Sequence, residues 1–536
     1  MASLIEGCPL LRLRLHPDGQ LEYVFQCPSL SEKQETFQIK YSAHTGNGIY
    51  STDSSNSGGC SSNSSAALYD CPLSMWAVGK FKSHICFQCF YVIEKGTRAK
   101  QRSDAPGINF CSPECLDRAG SCLDLSAAHL IPLFSTSLQL QPHPSATAPQ
   151  QTDTSDLKCL ALLACVHAMV RPGAMQSLHM MLKSSFYGSA PHDADARAAA
   201  TEMLGVAQSP AGRGKLARFL EGLGADKLSR LIAIVKYNTQ SLEVFSLPGT
   251  HVLCLLPTLS MLNHSCAPNA ALVRDDSASR DAAGRGGMFR VRLQLLPQRE
   301  QSHTLTLTPD ASSYWRPRGT TPRPYNYREQ SLLRNQQELT ISYLSNLCIP
   351  RRERQQLLKS AFHFLCACSR CRAEEADELA SAALALPDKR LDSLCAVREW
   401  TREGIASALV YVESELTERP APSFIYACHP LLLMVMSWAV RLKEQHLLGR
   451  CCVQLARCLD IAGLPLGQPQ VIEIMVRGAV AIFSASEGLA EAEMEDGRWL
   501  ARCALELLGV WHGQDATARK LCSKVKLISD RYCDTC

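Results

Sequence analysis

The sequence predicts an α+β protein, with short β-sheets interrupted and followed by helical stretches, on three observations. Near the start, Leu11-Arg-Leu-Arg-Leu15 alternates with a period of two, and Leu21-Glu-Tyr-Val-Phe25 follows it across a Pro-Asp-Gly turn, the pattern of a β-hairpin. From Asp156 to Tyr237, and again from Glu374 to the end, apolar residues recur at three and four spacing, the period of helices that bury one face. Between these stretches cysteines come in close pairs, Cys86-Phe-Gln-Cys89 and Cys111-Ser-Pro-Glu-Cys115.

At 536 residues the chain is too long for one small core, and roughly 150 residues per domain suggests three or four units. The net charge of +4 comes from 55 basic and 51 acidic residues, so it carries no footprint for a nucleic acid or a membrane surface. The opening Met-Ala-Ser-Leu-Ile-Glu-Gly is not a secretory leader, which makes an oxidising compartment a poor fit for 26 cysteines. Many cysteines in a reduced compartment suggest metal. The longest apolar run, Phe424 to Val440, contains His429 and Pro430 and falls short of the roughly 20 residues of a spanning helix. The expectation is a soluble protein of the cytosol or nucleus.

Cys-x-x-Cys, the spacing of Cys86 and Cys89, sets two sulfurs on one knuckle, and with a second close pair, here the Cys-x-x-x-Cys of Cys111 and Cys115, it can close a tetrahedral zinc site. Cys86, Cys89, Cys111 and Cys115 are therefore expected either to hold one zinc or to be four buried thiols. Ser51 to Ser65 is Ser, Asn and Gly rich and reads as a loop; Gln139 to Asp156 reads as a linker. Helices are expected over Leu157 to Met169, Ala174 to Lys183, Asp193 to Val206, Lys215 to Leu223 and Lys227 to Lys236. Met288 to Leu295 alternates as a strand, and Pro297 to Asn335 reads as a long surface insertion. Further helices are expected over Glu378 to Leu386, Leu391 to Ala408, Pro430 to Lys443, Leu447 to Ala462, Val471 to Ser484, Met494 to Leu507 and Ala516 to Ile528. Cys533-Asp-Thr-Cys536 has no second pair nearby and is expected to be metal-free.

The most specific stretch is Leu262-Asn-His-Ser-Cys-Ala-Pro-Asn-Ala270, which gathers amides, an imidazole and a thiol where the apolar run from Val252 gives way to a tight loop. Downstream, Glu338-Leu-Thr-Ile-Ser-Tyr343 leads through Arg351-Arg352 to Phe362-His-Phe-Leu-Cys-Ala-Cys-Ser-Arg-Cys371. In that order these segments resemble the SET domain of the SET and MYND domain family of protein lysine methyltransferases.

The resemblance implies S-adenosylmethionine as cofactor, a protein substrate with a target lysine, histone or otherwise, and about two zinc ions. It implies a SET-type fold over 1–80 and 238–372, interrupted by a MYND-like finger at 81–130 and a helical insertion at 156–237. A tetratricopeptide-like helical domain at 373–536 would offer a surface for a protein partner. Gly46-Asn47-Gly48, which alone reads as a turn, is similar to the glycine segment beside the cofactor's methionine end. Asn238, Asn263 and His264 would bind the cofactor, Phe364 would lie against its adenine, and Tyr343 would stand at the lysine channel as the catalytic residue. Cys266 would join Cys366, Cys368 and Cys371 around a second zinc.

Three departures stand out. Between Val92 and Asn109 the second ligand pair of a full finger is missing, and Cys122 and His129 are the weak candidates left for its remaining ligands. Phe362 occupies a position where the family has tyrosine. Gln336-Gln337-Glu338-Leu339 lacks the usual turn glycine and one carboxylate. Phe362, the missing half of the finger and the long insertion at Pro297 to Asn335 favour, as the alternative, a zinc-stabilised scaffold that has lost catalysis; a helical-repeat adaptor without metal is a third reading.

Overall fold

The computed structural model describes residues 11–15, 21–26, 34–42, 46–51, 68–70, 72–93, 99–101, 108–138, 154–171, 174–183, 193–208, 214–244, 247, 249–257, 259–275, 290–295, 338–344, 346–381, 389–418, 422–461, 469–485, 489–512 and 516–533. The loop at 51–65, the linker at 139–156 and the insertion at 297–335 fall wholly or mostly outside these residues, as does the Pro-Asp-Gly turn. The architecture is mixed, with small sheets and many helices, as an α+β composition requires. The chain divides into two compact units, one of residues 1–263, 272–294 and 333–340, the other of residues 264–271, 295–332 and 341–536.

Leu11–Leu15 (β1) and Leu21–Gln26 (β2) pair antiparallel with Leu15 opposite Leu21, as their alternation predicts. Gln34–Ser42 (β3) and Gly46–Ser51 (β4) continue the sheet. Here the turn reading of Gly46-Asn47-Gly48 is corrected, because these residues form ladder pairs with Ser42, Tyr41 and Lys40. Glycine weakens a strand by offering nothing to pack, but pairing along β3 holds this backbone extended. The sheet order is β1-β2-β3-β4-β12-β9, with β9 Asn263–His264 and β12 Glu338–Ile341. Two three-stranded sheets complete the β structure. One joins Ala270–Asp275 (β10), Arg290–Leu295 (β11) and Leu68–Asp70 (β5); the other joins Ser74–Gly79 (β6), Thr250–Leu255 (β8) and Thr239–Glu243 (β7).

In the first unit the helices are Pro113–Leu138 (α1), Thr154–Val170 (α2), Ala174–Lys183 (α3), Ala194–Gln208 (α4) and Lys215–Asn238 (α5). Helix α2 is buried from Leu157 to Ala168 without interruption, so it is the unit's central helix rather than a one-faced one. Asp193 caps α4 by accepting a hydrogen bond from the Ala196 amide at 3.0 Å. Two predicted helices, Lys215 to Leu223 and Lys227 to Lys236, are joined as α5 across a kink at Gly224, whose φ of 72° suits only glycine without strain.

The second unit carries Arg351–Phe362 (α6), Ser369–Ser381 (α7), Lys389–Cys395 (α8), Arg402–Glu418 (α9), Pro422–Arg441 (α10), Gln445–Ile461 (α11), Pro469–Ser484 (α12), Glu491–His512 (α13) and Ala516–Cys533 (α14). The single helix expected over Leu391 to Ala408 is instead two. Buried Trp400 anchors the break, and the Thr401 hydroxyl accepts the Gly404 amide at 3.1 Å to start α9. From α10 to α14 each helix packs on its neighbour in sequence. The apolar run in α10 is longer than expected: Phe424–Arg441, mean hydropathy 1.4, is long and apolar enough by composition to cross a membrane. Ile425, Cys428, Leu431, Leu432, Val435 and Ala439 are nevertheless buried within this unit, as in a core helix. Cys533 closes α14, and the rest of the terminal cysteine motif lies outside the described residues.

Candidate metal centres and an aromatic cluster

In the first unit, the Cys86 amide donates to the Tyr91 carbonyl at 2.9 Å and the Phe90 amide to the Cys86 carbonyl at 2.8 Å. Phe90 is left-handed, with φ of 56°, and the tight loop turns Cys86 and Cys89 toward one point. A backbone bridge between Lys100 and Phe110 delivers Cys111, and the Ser112 hydroxyl caps α1 at the Cys115 amide, 3.2 Å away. The Cys111 sulfur lies 3.6 Å from that of Cys89 and 3.5 Å from that of Cys115, and all four sulfurs are within 4.8 Å of one another. Ile93, Ile108, Phe110, Ala119 and Leu123 pack around them as a small core. Hydrogen bonding from Cys111, then from Cys115 and Cys89, pulls the Cys86 thiol far below its ordinary range, while proton sharing drives Cys89 up. The group can hold one metal ion. Cys122 is buried further along α1 and is not part of it; the His129 side chain is outside the described residues.

The second group, Cys266, Cys366, Cys368 and Cys371, lies wholly in the second unit and meets the same spacing. Helix α6 ends in a left-handed residue, His363 with φ of 61°. Gln355, about two helix turns earlier, clasps Cys366 from both sides: its carbonyl accepts the Cys366 amide at 2.8 Å and its amide donates to the Cys366 carbonyl at 2.7 Å. Hydrogen bonds from Cys266, Cys368 and Cys371 hold the Cys366 thiol far below its usual range.

Behind this group sits a buried polar network that the sequence did not reveal. Glu374 accepts hydrogen bonds from Arg354, from Arg370 at 2.8 Å and from the Tyr426 hydroxyl. Arg370 also donates to the Cys266 carbonyl at 3.0 Å and the Leu347 carbonyl at 2.9 Å, and Arg354 lies 4.0 Å from the Cys371 sulfur. The i,i+4 pairing of Arg370 and Glu374 was a visible signal; that Arg354 and Tyr426 converge on it was not.

In front of it His264, 5 % exposed, makes two contacts that fix its tautomer. Its Nδ1 accepts the Tyr343 amide at 2.9 Å, so the proton sits on Nε2, which points at the Cys266 sulfur 3.3 Å away. Tyr343 lies among three rings, Phe362 at 5.0 Å, His264 at 5.4 Å and Phe364 at 6.3 Å edge-on. The sequence-predicted residues His264, Cys266, Tyr343, Phe364 and the three downstream cysteines thus lie together in the second unit.

Gly46, Asn47, Gly48, Asn238 and Asn263 belong to the first unit. Asn238 ends α5, its side-chain amide bonded to the Ile234 carbonyl at 2.9 Å. The Asn238 carbonyl accepts the Ser260 hydroxyl at 2.8 Å, in the 3-10 turn Leu259–Met261 just before Asn263. Thus the apolar run from Val252 enters the motif through a 3-10 turn and a short strand rather than a simple loop. The Asn263 amide donates to the Glu338 carboxylate at 2.7 Å, joining the two motifs, a pairing their order alone did not show. No known protein family has a model that matches this chain, and no curated protein matches it.

Proposed function

We propose that the chain is an S-adenosylmethionine-dependent protein-lysine N-methyltransferase with a SET-type core, a reduced MYND finger and two structural zinc ions. Zinc suits the sulfur spacing: a tetrahedral site with zinc–sulfur bonds of about 2.3 Å has sulfurs about 3.8 Å apart, close to the contacts around Cys111. Four protein thiolates would leave no open position, so each zinc would serve folding rather than chemistry. The observation that carries the reading is Tyr343, boxed by aromatic rings and tied through its amide to His264, which rests on a cysteine of the second group.

When bound, the cofactor supplies a methyl group on a positively charged sulfur. The target lysine would have to reach the site as the neutral amine, so that its nitrogen has an electron pair to take up that methyl group. Tyr343 would stabilise the shifting charge with its hydroxyl, Phe362 and Phe364 would exclude water, and Phe364 would face the adenine. Asn263, His264, Asn238 and the Gly46–Gly48 backbone would hold the cofactor's polar groups. The helical region after residue 373, read as tetratricopeptide-like, would engage the protein substrate or a partner.

Phe362 supports the second reading, an inactive scaffold. Its ring lies 5.0 Å from that of Tyr343 and supplies no second hydroxyl. Calorimetric titration with S-adenosylmethionine tests the cofactor part, with saturable binding expected and a loss of about tenfold or more in Asn263→Ala. Absence of binding by metal-loaded protein refutes it.

A further inference from the structure

Helix α14, the last of the second unit, packs on α12 and α13 and buries Ala518 and Val525 on that side. Its other side carries Arg519, Lys520, Lys524 and Lys526, all exposed, against one exposed acid, Asp530. On a helix of about 3.6 residues per turn, Arg519, Ser523 and Leu527 follow one line, with Lys520 and Lys524 on one flank of it and Lys526 on the other. Leu527, between the two flanks, is 57 % exposed. The preceding helices treat their cations differently. Every described arginine from α9 to α13 has an acid or a ring for a partner, as Arg450 has Glu413 at 2.7 Å, Arg457 has Asp496 at 2.9 Å and Arg441 lies 5.0 Å from the Trp438 ring centre. Among the described residues, the four cations of α14 have no such partner.

We propose that this outer face of α14 docks an acidic protein segment that carries an apolar residue among its carboxylates. Lysines on a helix surface can rest in water alone. What singles this face out is a large apolar side chain exposed between two sets of unmatched cations. A segment of that kind sets carboxylates against both flanks, where the charges complement one another, and takes Leu527 out of water. A nucleic-acid backbone would meet the cations through its phosphates and leave the leucine uncovered. A helix lying on a membrane needs a broad apolar face, and the apolar residues Ala518 and Val525 of α14 are already buried. The surface gives the partner proposed for the helical region a place and a charge, and it stands whether or not the chain transfers methyl groups.

The full chain is titrated, with fluorescence anisotropy as the readout, into a labelled glutamate peptide with leucines at helical spacing, into the same peptide with serine for leucine, and into a labelled DNA duplex. Vesicles of phosphatidylserine and phosphatidylcholine are tested by co-sedimentation. The expected result is saturable binding of the leucine peptide that falls as salt rises, and weaker binding of the other three. Lys520→Glu combined with Lys524→Glu should weaken the leucine peptide roughly tenfold or more, and Leu527→Ser should weaken it several-fold. The same change of net charge on α5, Lys215→Glu with Arg218→Glu, should leave binding unaltered, since both residues are exposed in the first unit. No saturable binding, the mark of a solvated helix face, overturns the proposal. So does an equal loss in the α5 variant, or binding of the serine peptide, the duplex or the vesicles as tight as that of the leucine peptide.

Discussion

Replacing Glu374 by Gln keeps the shape of the side chain and removes the carboxylate that two buried guanidiniums share. The side chains of Arg354, Arg370 and Glu374 are 0, 8 and 6 % exposed, so water cannot take over the lost pairing. Breaking a buried ion pair by removing one partner costs about 3 to 5 kcal/mol. The Cys371 sulfur, 4.0 Å from Arg354, offsets part of this when the thiolates are formed, which puts the expectation near 3 kcal/mol. For a folding unit of this size that corresponds to a melting temperature lower by about 6 to 12 °C. Burial alone would raise the Glu374 pKa, but Arg370 and Arg354 hold it below the usual carboxylate value. A depressed carboxylate stabilises fully above its unfolded pKa of about 4.3 and loses that contribution as pH falls through its folded value. The difference between the two proteins should thus be constant from pH 8 to 5 and shrink below about pH 4. Calorimetric melting of both across this range is the assay. A shift below about 2 °C at neutral pH would refute the view that Glu374 is the counter-charge on which both arginines depend.

Three further outcomes follow from other parts of the molecule. Cys366→Ser should lower bound metal from about two equivalents to about one, measured by atomic absorption, while Cys89→Ser should remove the other; retention of both in either variant would contradict the assignment of ligands. His167 is buried, its Nδ1 donating to the Leu73 carbonyl at 3.0 Å, and burial followed by the charge of Arg171 lowers its pKa to about 3. An unfolded histidine takes up a proton below about pH 6.5 and the folded one does not, so stability falls with pH over that window. About 2 kcal/mol should be lost from pH 6.5 to 5, and His167→Gln should remove that component of the pH dependence in a urea titration. Gly478→Ala should destabilise α12 despite alanine's higher helix propensity, because a Cβ there meets the Cys452 Cβ at 2.5 Å and the Leu500 Cδ1 at 2.7 Å. The expected cost is about 1 to 3 kcal/mol in a melting experiment; an unchanged melting temperature would mean that the helices can separate freely.

Periodicity in the sequence located most of the helices and the first hairpin, since those elements are stabilised by burying one face and the pattern of that face is local. It misjudged the stretch from Leu391 to Ala408, where the break depends on Trp400 finding a buried site and on Thr401 capping a new helix. It also read Gly46-Asn47-Gly48 as a turn, because glycine's strand character comes from the neighbouring strand, which composition does not report. At the candidate site the four-cysteine groups were legible from spacing and from the motif resemblance. The convergence of Arg354, Arg370, Glu374 and Tyr426, four residues up to 72 positions apart in sequence, was not, since each alone looks like an ordinary surface residue on a helix. The same holds for the contact of Asn263 with Glu338, where each motif supplies one half of a pair.

The most direct test of the methyltransferase proposal is transfer of radiolabelled methyl from S-adenosylmethionine to proteins of a cell extract, catalysed by purified, metal-loaded chain and followed on a gel. The account predicts labelled protein bands with the unaltered chain, the label surviving alkaline treatment that hydrolyses methyl esters. In Tyr343→Phe the label should fall by a factor of roughly 10² or more while cofactor binding persists. Undiminished transfer by Tyr343→Phe would contradict the role given to that hydroxyl, and cofactor binding without any transfer would contradict catalysis and leave the scaffold.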